Sequence, residues 1–193
     1  MTGYLPDPPP SAESDALFAE DVADLGYVMN ATRLWAYEPA AAHGLFDLMG
    51  VVTTGTSLDF RRRAILVSAT ASAFGDPYCS LAWGARLAKV AGDDIAGGVL
   101  SGDDEGLSDT EQVMARWARR VALDPRGTSE ADVGALRDAG FPDAEIFAMT
   151  VFIALRLAFS TVNNALGAGP DDRLRDDAPA AVRDATLRLS SGR

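Results

Sequence analysis

The residues with the clearest chemical potential are Asp76, Pro77, Tyr78 and Cys79, which stand next to one another and include the only cysteine of the chain. An Asp followed by Pro is typical of a helix start, with Asp76 as the N-cap and Pro77 as the first helical residue. Cys79 then occupies the third helical position, where the positive end of the helix dipole favours a thiolate. The sequence therefore predicts a candidate nucleophile at Cys79 and a candidate acid or base at Asp76.

Each of these residues also has a purely structural interpretation, and the sequence leaves both open. Asp76 can act simply as a cap that accepts backbone N–H groups, and this interpretation is favoured because caps outnumber catalytic carboxylates. Cys79 is either a nucleophile or a small buried hydrophobe. Tyr78 is either a hydroxyl donor beside the site or a packed aromatic residue. A carboxylate one turn from the sulfur would also raise the pKa of the thiol and oppose the effect of the helix dipole.

Trp83 and Arg63 are the candidate substrate-binding residues near this helix start. Trp83 follows Cys79 by four residues and shares its helix face, although a role in filling the pocket or core is more common for Trp than stacking on a ligand. Arg63 is the last of three consecutive arginines and could reach inward to a carboxylate, either of Asp76 or of a substrate. Arg156 lies inside an apolar segment, and burial would require a partner for its charge. A structural salt bridge is the first expectation for Arg156, and an ion pair across a subunit interface is the second.

Helices are predicted to position all of these residues. Residues 58–92 indicate two helices folded against each other, with Asp76 at the joint and Gly92 at the end of the second. Apolar residues recur at spacings of three and four from Ser11 to about Trp35, which predicts one long helix there. Further helices are predicted after Pro39, at 93–100, at 109–123, at 129–140, from Pro142 to about 166, and at the C-terminus. No segment alternates with the period of two that strands require, so an all-α fold is expected.

The composition suits one domain and argues against several kinds of partner. With 193 residues, 48% of them apolar, the chain can form a real core. We expect a flexible, Pro-rich N-terminal arm at 1–10 and a single all-α domain at 11–193. The 28 acidic residues outnumber the 17 basic ones and give a net charge of −11, so no nucleic-acid partner and no anionic membrane surface is expected.

The remaining composition signals concern compartment, cofactor and assembly. The N-terminus has neither a basic start nor an apolar core like that of a secretory signal, and a lone cysteine fits the cytoplasm. One histidine, His43, and one cysteine argue against a His/Cys metal site, and no cofactor is expected. The segment 144–166 is apolar nearly all round, yet Arg156 and Asn163 are too polar for a membrane span. It is expected to be a buried central helix or to lie at the interface of a homo-oligomer.

Two stretches resemble a known family. Residues 60–92 resemble the helix-turn-helix core of the carboxymuconolactone decarboxylase and alkylhydroperoxidase D (AhpD-like) family. Residues 136–171, including Asn163-Asn164-Ala165-Leu166-Gly167, resemble the later helix of its peroxidase-related branch. The resemblance covers roughly residues 57–171. It implies an AhpD-like helical bundle, assembly into a dimer, trimer or hexamer, and a pocket at the start of the Cys79 helix near subunit contacts.

The family motif is not intact in this chain. Cys79 matches the second cysteine of the motif, which attacks peroxide in the family. Asp76 stands in place of the first, resolving cysteine, Trp83 in place of the histidine, and Ala64 in place of the glutamate. Without a second thiol, a sulfenic acid formed on Cys79 would need an external thiol for its reduction. Loss of the proton relay would remove a further factor of about 10²–10⁴ in rate.

Three functions remain open from the sequence. The first is a divergent family member that has lost two-cysteine peroxidase chemistry and binds or transforms a small molecule at the pocket of Asp76 and Cys79. The second is a one-cysteine alkyl hydroperoxide reductase that uses an external thiol. The third is a non-catalytic structural or binding protein, which a fully packed and inaccessible Cys79 would favour.

Overall fold

The structure is a computed structural model that describes residues 3–191, and the chain is all-α over that range, as predicted. Residues 1–2 of the expected arm and residues 192–193 of the expected domain lie outside the described residues. The helices are α1 (Ala12–Leu25), α2 (Asn30–Trp35), α3 (Pro39–Thr53), α4 (Phe60–Phe74), α5 (Pro77–Ala91), α6 (Asp93–Ser101), α7 (Asp109–Leu123), α8 (Glu130–Asp138), α9 (Asp143–Ala165), α10 (Asp172–Asp177) and α11 (Ala180–Ser191), with a short 3₁₀ turn at Pro125–Gly127.

The predicted pair α4 and α5 forms the centre of the fold. Asp59 caps α4 by accepting the backbone N–H of Arg62 at 2.8 Å. Every residue of 64–72 is buried, because α4 packs against α5, α6, α7 and α9. Gly75 ends α4 in the left-handed conformation at φ 74°, which a glycine adopts without steric cost. The chain therefore reverses within two residues and places Asp76 at the start of α5.

The long helix predicted from Ser11 to about Trp35 is wrong, because the chain forms two helices there. Gly26 ends α1 at φ 78°, and its N–H donates to the carbonyl of Val22. The turn that follows is held by side chains: Asp21 accepts the backbone N–H of Met29 at 2.8 Å. Helical spacing of the apolar residues continues across this break, so periodicity alone does not reveal it.

The longest helix, α9, combines a buried side with an exposed one. Its length and composition would suffice to cross a membrane, but nine of its residues are buried in the molecule, including the polar Arg156, Ser160 and Asn163. Helix α9 packs mainly against α3, α4 and α7. On the other side the Phe147 side chain is 71% exposed. The helix is therefore part of the core, as predicted, and also presents apolar surface.

The segment that precedes α1 contacts the body of the protein. The backbone N–H of Tyr4 donates to the carbonyl of Leu166 at 2.8 Å. The hydroxyl of Tyr37 donates to the carbonyl of Pro6 at 2.8 Å. Residues 3–10 form no helix, and the flexibility of this arm stays a prediction.

Candidate functional site

Asp76 caps α5, as the sequence predicts. Its Oδ1 accepts the backbone N–H of Tyr78 at 2.8 Å and that of Cys79 at 3.1 Å. The residue is fully buried, at 0% exposure. Its other carboxylate oxygen, Oδ2, has no hydrogen-bond partner among residues 3–191. Asp76 is therefore the N-cap of α5, and its Oδ2 is buried without a hydrogen bond to any of those residues.

The Cys79 thiol lies in the interior, with the residue 2% exposed. A guanidinium N–H of Arg156 donates to its sulfur, with 3.5 Å between Nη2 and Sγ. Burial raises the pKa of Cys79 to about 12; the charge of Arg156 lowers this pKa and the charge of Asp76 raises it. The thiol is therefore protonated at neutral pH, and burial outweighs the effect of the helix dipole on which the sequence prediction of a thiolate depended.

Arg156 extends from α9 across the start of α5 and is 5% exposed. Its guanidinium carbon lies 5.1 Å from the ring centroid of Trp83 and 5.4 Å from that of Phe159. The salt bridges among residues 3–191 do not include Arg156, so the structural salt bridge predicted for it within the chain is wrong. Two aromatic rings and a sulfur take the place of a carboxylate around this cation.

Trp83 shares a face of α5 with Cys79 and, one turn further, with Arg86. The guanidinium carbon of Arg86 lies 5.2 Å from the Trp83 ring centroid, so this ring contacts two arginines. Phe60 of α4 packs nearby, with 6.2 Å between the two ring centroids. Trp83 is half-buried and packs against the core, as favoured from the sequence. Its role in binding a substrate stays a prediction.

Tyr78 connects α5 to two other parts of the chain. Its hydroxyl donates to Oδ2 of Asp171 at 2.7 Å, and Oδ1 of Asp171 accepts the backbone N–H of Asn30 at 2.9 Å. Burial and the Asp171 carboxylate raise the pKa of Tyr78 well above its usual range. The tyrosine is a packed residue whose hydroxyl is already engaged, which favours the structural interpretation.

Arg63 lies away from this cluster. It is half-buried on the first turn of α4, whereas Asp76 follows the last turn. A helix rises 1.5 Å per residue, so the two backbones are about 16 Å apart along the axis, beyond the reach of an arginine side chain. The suggested contact between Arg63 and Asp76 is therefore wrong, and pairing of Arg63 with a substrate carboxylate stays a prediction. Ala64 is buried at 0% exposure.

An aromatic row that the sequence did not reveal continues from Arg156 to the surface. The Trp35 ring stacks on Phe159 with 5.2 Å between centroids and 13° between planes. Phe46 meets Phe159 edge-on at 5.4 Å and is 47% exposed. The indole N–H of Trp35 in α2 donates to Oδ1 of Asn163 in α9 at 2.9 Å, so this row also contains an interhelical hydrogen bond.

A cleft of about 280 Å³ runs beside α5. Its walls include Arg86 and Lys89 of α5, together with Tyr27 and Asp177 from other parts of the chain. Cys79 is not among the residues that line this cleft. We call Trp83, Arg86, Arg156 and Phe159 the Trp83 cluster, and Arg86 is its member that lines the cleft. Within residues 3–191, no three or more His, Cys, Asp or Glu side chains are grouped so that they could hold a metal ion.

Several solved structures share this fold. One is an uncharacterized peroxidase-related protein with an alkylhydroperoxidase AhpD core from Ralstonia eutropha JMP134: TM-score 0.80, 22% identity, covering 90% of this chain and 95% of that one. A second is an uncharacterized peroxidase-related protein from Silicibacter sp. TM1040. Its TM-score is 0.80 at 20% identity, and the alignment covers 90% of this chain and 94% of that one. A third is a cysteine-to-alanine variant of the debrominase Bmp8 in complex with 2,3,4-tribromopyrrole. Its TM-score is 0.70 at 13% identity, and the alignment covers 92% of this chain and 91% of that one.

Sequence comparison adds no relative to these structures, since no protein-family model and no curated protein matches the chain. At identities of 13–22% the structural likeness concerns the fold. The chain has the all-α fold of the alkylhydroperoxidase AhpD core, which confirms at the level of the fold the resemblance predicted from its sequence.

Proposed function

We propose that this chain is a divergent AhpD-like protein that has lost two-cysteine peroxidase activity and binds a small organic molecule beside Cys79. The observation that carries the proposal is the state of the thiol: Cys79 is the only cysteine, is 2% exposed, and has a pKa raised to about 12. A peroxidase needs the thiolate as its nucleophile and a second thiol to resolve the sulfenic acid. This chain lacks the second thiol and disfavours the thiolate.

The residues around the sulfur support the same conclusion. The positions that the family motif gives to a glutamate, a resolving cysteine and a histidine hold Ala64, Asp76 and Trp83. Of these, Asp76 is the one with a carboxyl group, and its Oδ1 is committed to the helix cap. No imidazole is available, because the single histidine, His43, lies on α3 at 3.7 Å from Glu20 of α1. The histidine and glutamate that the motif uses to relay a proton to the peroxide leaving group are therefore both absent.

Binding of a small molecule is supported by the cleft and by the aromatic and cationic side chains that separate it from Cys79. Pockets that hold small ligands are mostly apolar, with a few polar groups that orient the ligand. The Trp83 ring and the two arginines on it provide such a combination beside a cleft of about 280 Å³. Bmp8, which shares the fold, holds 2,3,4-tribromopyrrole in its crystal structure, so the fold can accommodate a small aromatic molecule.

The experiment that tests the loss of peroxidase activity is reduction of cumene hydroperoxide, measured with dithiothreitol as the external thiol. We expect no turnover above that of Cys79→Ala, because few thiolates are present and no residue relays the proton. Mass spectrometry after brief exposure to peroxide should show no sulfenic acid at Cys79. Turnover that is lost in Cys79→Ala would refute this proposal and establish the one-cysteine peroxidase instead.

A non-catalytic structural or binding protein is the second candidate, and the burial of Cys79 favours it. Cys79 is buried and does not line the cleft. The long contact between its sulfur and Arg156, at 3.5 Å, is also what close packing of two buried side chains would produce. The two candidate functions are distinguished by whether a small molecule binds at the Trp83 cluster. A small molecule that binds at the Trp83 cluster supports the first, whereas a cluster that binds none supports the second.

Assembly and compartment belong to the same proposal. A homo-oligomer, whether dimer, trimer or hexamer, would cover the apolar side chains on α3 and α9, where Val51 is 69% and Phe147 is 71% exposed. Light scattering after size-exclusion chromatography measures the subunit count, and a monomer at all concentrations would contradict this expectation. The lone cysteine, which has no partner for an internal disulfide, supports a cytoplasmic location.

A further inference from the structure

The feature that the proposed function leaves unexplained is a pair of arginines without carboxylate partners. Arg156 is 5% exposed and Arg86 is half-buried, and both guanidinium groups lie just over 5 Å from the centroid of the Trp83 ring. None of the salt bridges among residues 3–191 involves either arginine. Burying a charge without a counter-charge is costly, so two such charges on one ring require an explanation.

The hydrogen bonds of the two side chains are equally incomplete. A guanidinium carries five N–H groups. Among the described residues, Arg156 donates to Sγ of Cys79 at 3.5 Å, and Arg86 donates to the carbonyl of Ala82 at 3.4 Å. Both contacts are long, and Nε of Arg156 is buried without any partner. The two guanidinium groups therefore have few protein acceptors, and one buried donor, Nε of Arg156, has none among the described residues.

Nearby carboxylates do not supply the missing acceptors. Asp76, although its Oδ2 has no hydrogen-bond partner among the described residues, forms no salt bridge with Arg86 or Arg156, and neither do Asp171 or the cleft residues Asp93 and Asp177. The Cys79 thiol is protonated and contributes no negative charge. Burial lowers the pKa of Arg86, and the charge of Arg156 lowers it further, so the two cations destabilise each other.

The geometry points to a binding site for a small organic carboxylate that is held by Arg86 and Arg156 against the Trp83 ring. This inference rests on the proposed small-molecule-binding function and names the ligand class. Guanidinium groups bind carboxylates through paired, charge-assisted hydrogen bonds. Trp83 and Phe159 would contact the apolar body of the ligand, and the cleft on which Arg86 lies would give access. That cleft has a volume of about 280 Å³, and Arg86 is the residue of the proposed site that lines it.

Benzoate and its neutral analogue benzamide are the probes that test this inference on the whole chain. We expect benzoate to raise the thermal unfolding midpoint in proportion to its binding, and benzamide to leave it unchanged at equal concentration. Titration calorimetry should show benzoate binding about tenfold or more weakly in Arg86→Gln, because a charge-assisted hydrogen bond is lost. Arg126→Gln is the matched control, since Arg126 is exposed and lies outside the cluster.

The outcomes separate this inference from the proposed function. Arg156→Gln should lose benzoate binding as Arg86→Gln does; if Arg156→Gln does not fold, the partly exposed Arg86 decides the question. Equal midpoint shifts with benzoate and benzamide, no shift with either, or wild-type binding in Arg86→Gln would each overturn the carboxylate site. Those results would not change the interpretation of the hydroperoxide assay, which tests the proposed function. Hydroperoxide turnover dependent on Cys79 would overturn the proposed function even if benzoate binds.

Discussion

The alkylation rate of Cys79 should be far lower in the folded protein than in the unfolded chain. Burial and the Asp76 charge raise the pKa of the thiol from 9.0 to about 12, against the opposing effect of the Arg156 charge. At pH values below 9, three pKa units correspond to about a thousandfold fewer thiolates, or about 4 kcal/mol of extra cost for ionisation. Because iodoacetamide reacts with the thiolate, the rate should fall by at least about this factor.

The assay is mass spectrometry of the intact chain after timed exposure to iodoacetamide between pH 7 and pH 10. The same chain unfolded in guanidinium chloride provides the reference rate at each pH. In the reference the rate should level off above pH 9, whereas in the folded protein it should keep rising through pH 10, because the folded thiol is still protonated there. A folded rate within about tenfold of the reference, or a plateau below pH 9, would refute the assignment of a packed, protonated thiol.

Two substitutions test the electrostatic part of this reasoning with opposite signs. Asp76→Asn removes the charge that raises the pKa of Cys79 and keeps a capping side chain, so alkylation should become faster. Arg156→Met removes the charge that lowers the pKa, so alkylation should become slower. Faster alkylation in both variants would mean that loosened packing, rather than charge, controls access to the sulfur.

Three further predictions concern stability, each measured by urea unfolding. Tyr78→Phe should destabilise the fold by about 1–3 kcal/mol, because it leaves a buried carboxylate without its hydroxyl donor; a loss below about 0.5 kcal/mol would show that this hydrogen bond contributes little. The raised pKa of Cys79 should make stability fall by about 1 kcal/mol from pH 9 to pH 10, since the unfolded thiol completes its ionisation there and the folded one stays protonated. Cys79→Ala should lack that part of the decrease, and an unchanged pH dependence in this variant would contradict the raised pKa. Gly84→Ala should cost about 1–3 kcal/mol, because a Cβ there would lie 2.7 Å from Leu100. The matched control Gly134→Ala, with nothing within 4 Å of its Cβ, should be stabilising by about 0.5–1 kcal/mol.

Most helix boundaries could be predicted because their signals are local. Asp76 and Ser108 are caps whose partners lie within three residues, so the sequence around them determines the helix start. The break at Gly26 was missed because a single glycine inside a periodic pattern is also compatible with a continuous helix. What decides there is the side chain of Asp21, which holds the turn by accepting the backbone N–H of Met29.

The surroundings of the sulfur could be predicted only in part, because they are non-local. Cys79 and Arg156 are 77 positions apart in the chain, and no spacing rule connects them. A buried arginine suggests a carboxylate partner on general grounds, and the aromatic alternative depends on how α9 crosses α5. Arg86 could have been noticed, since it follows Cys79 by two helical turns on the face that Trp83 also occupies.

Trp83 and Arg156 are best understood as one unit. A histidine, which the resemblance to the AhpD-like motif would imply at position 83, would offer Arg156 a smaller ring than the indole, whose face is the best aromatic partner for a cation. In its protonated form that histidine would also place a like charge about 5 Å from the guanidinium. The buried arginine therefore disfavours the very imidazolium that a proton relay would need. On this reasoning the indole at position 83 and the buried cation beside the sulfur stabilise each other, and Trp83→His alone should leave a neutral imidazole that cannot act as a general acid.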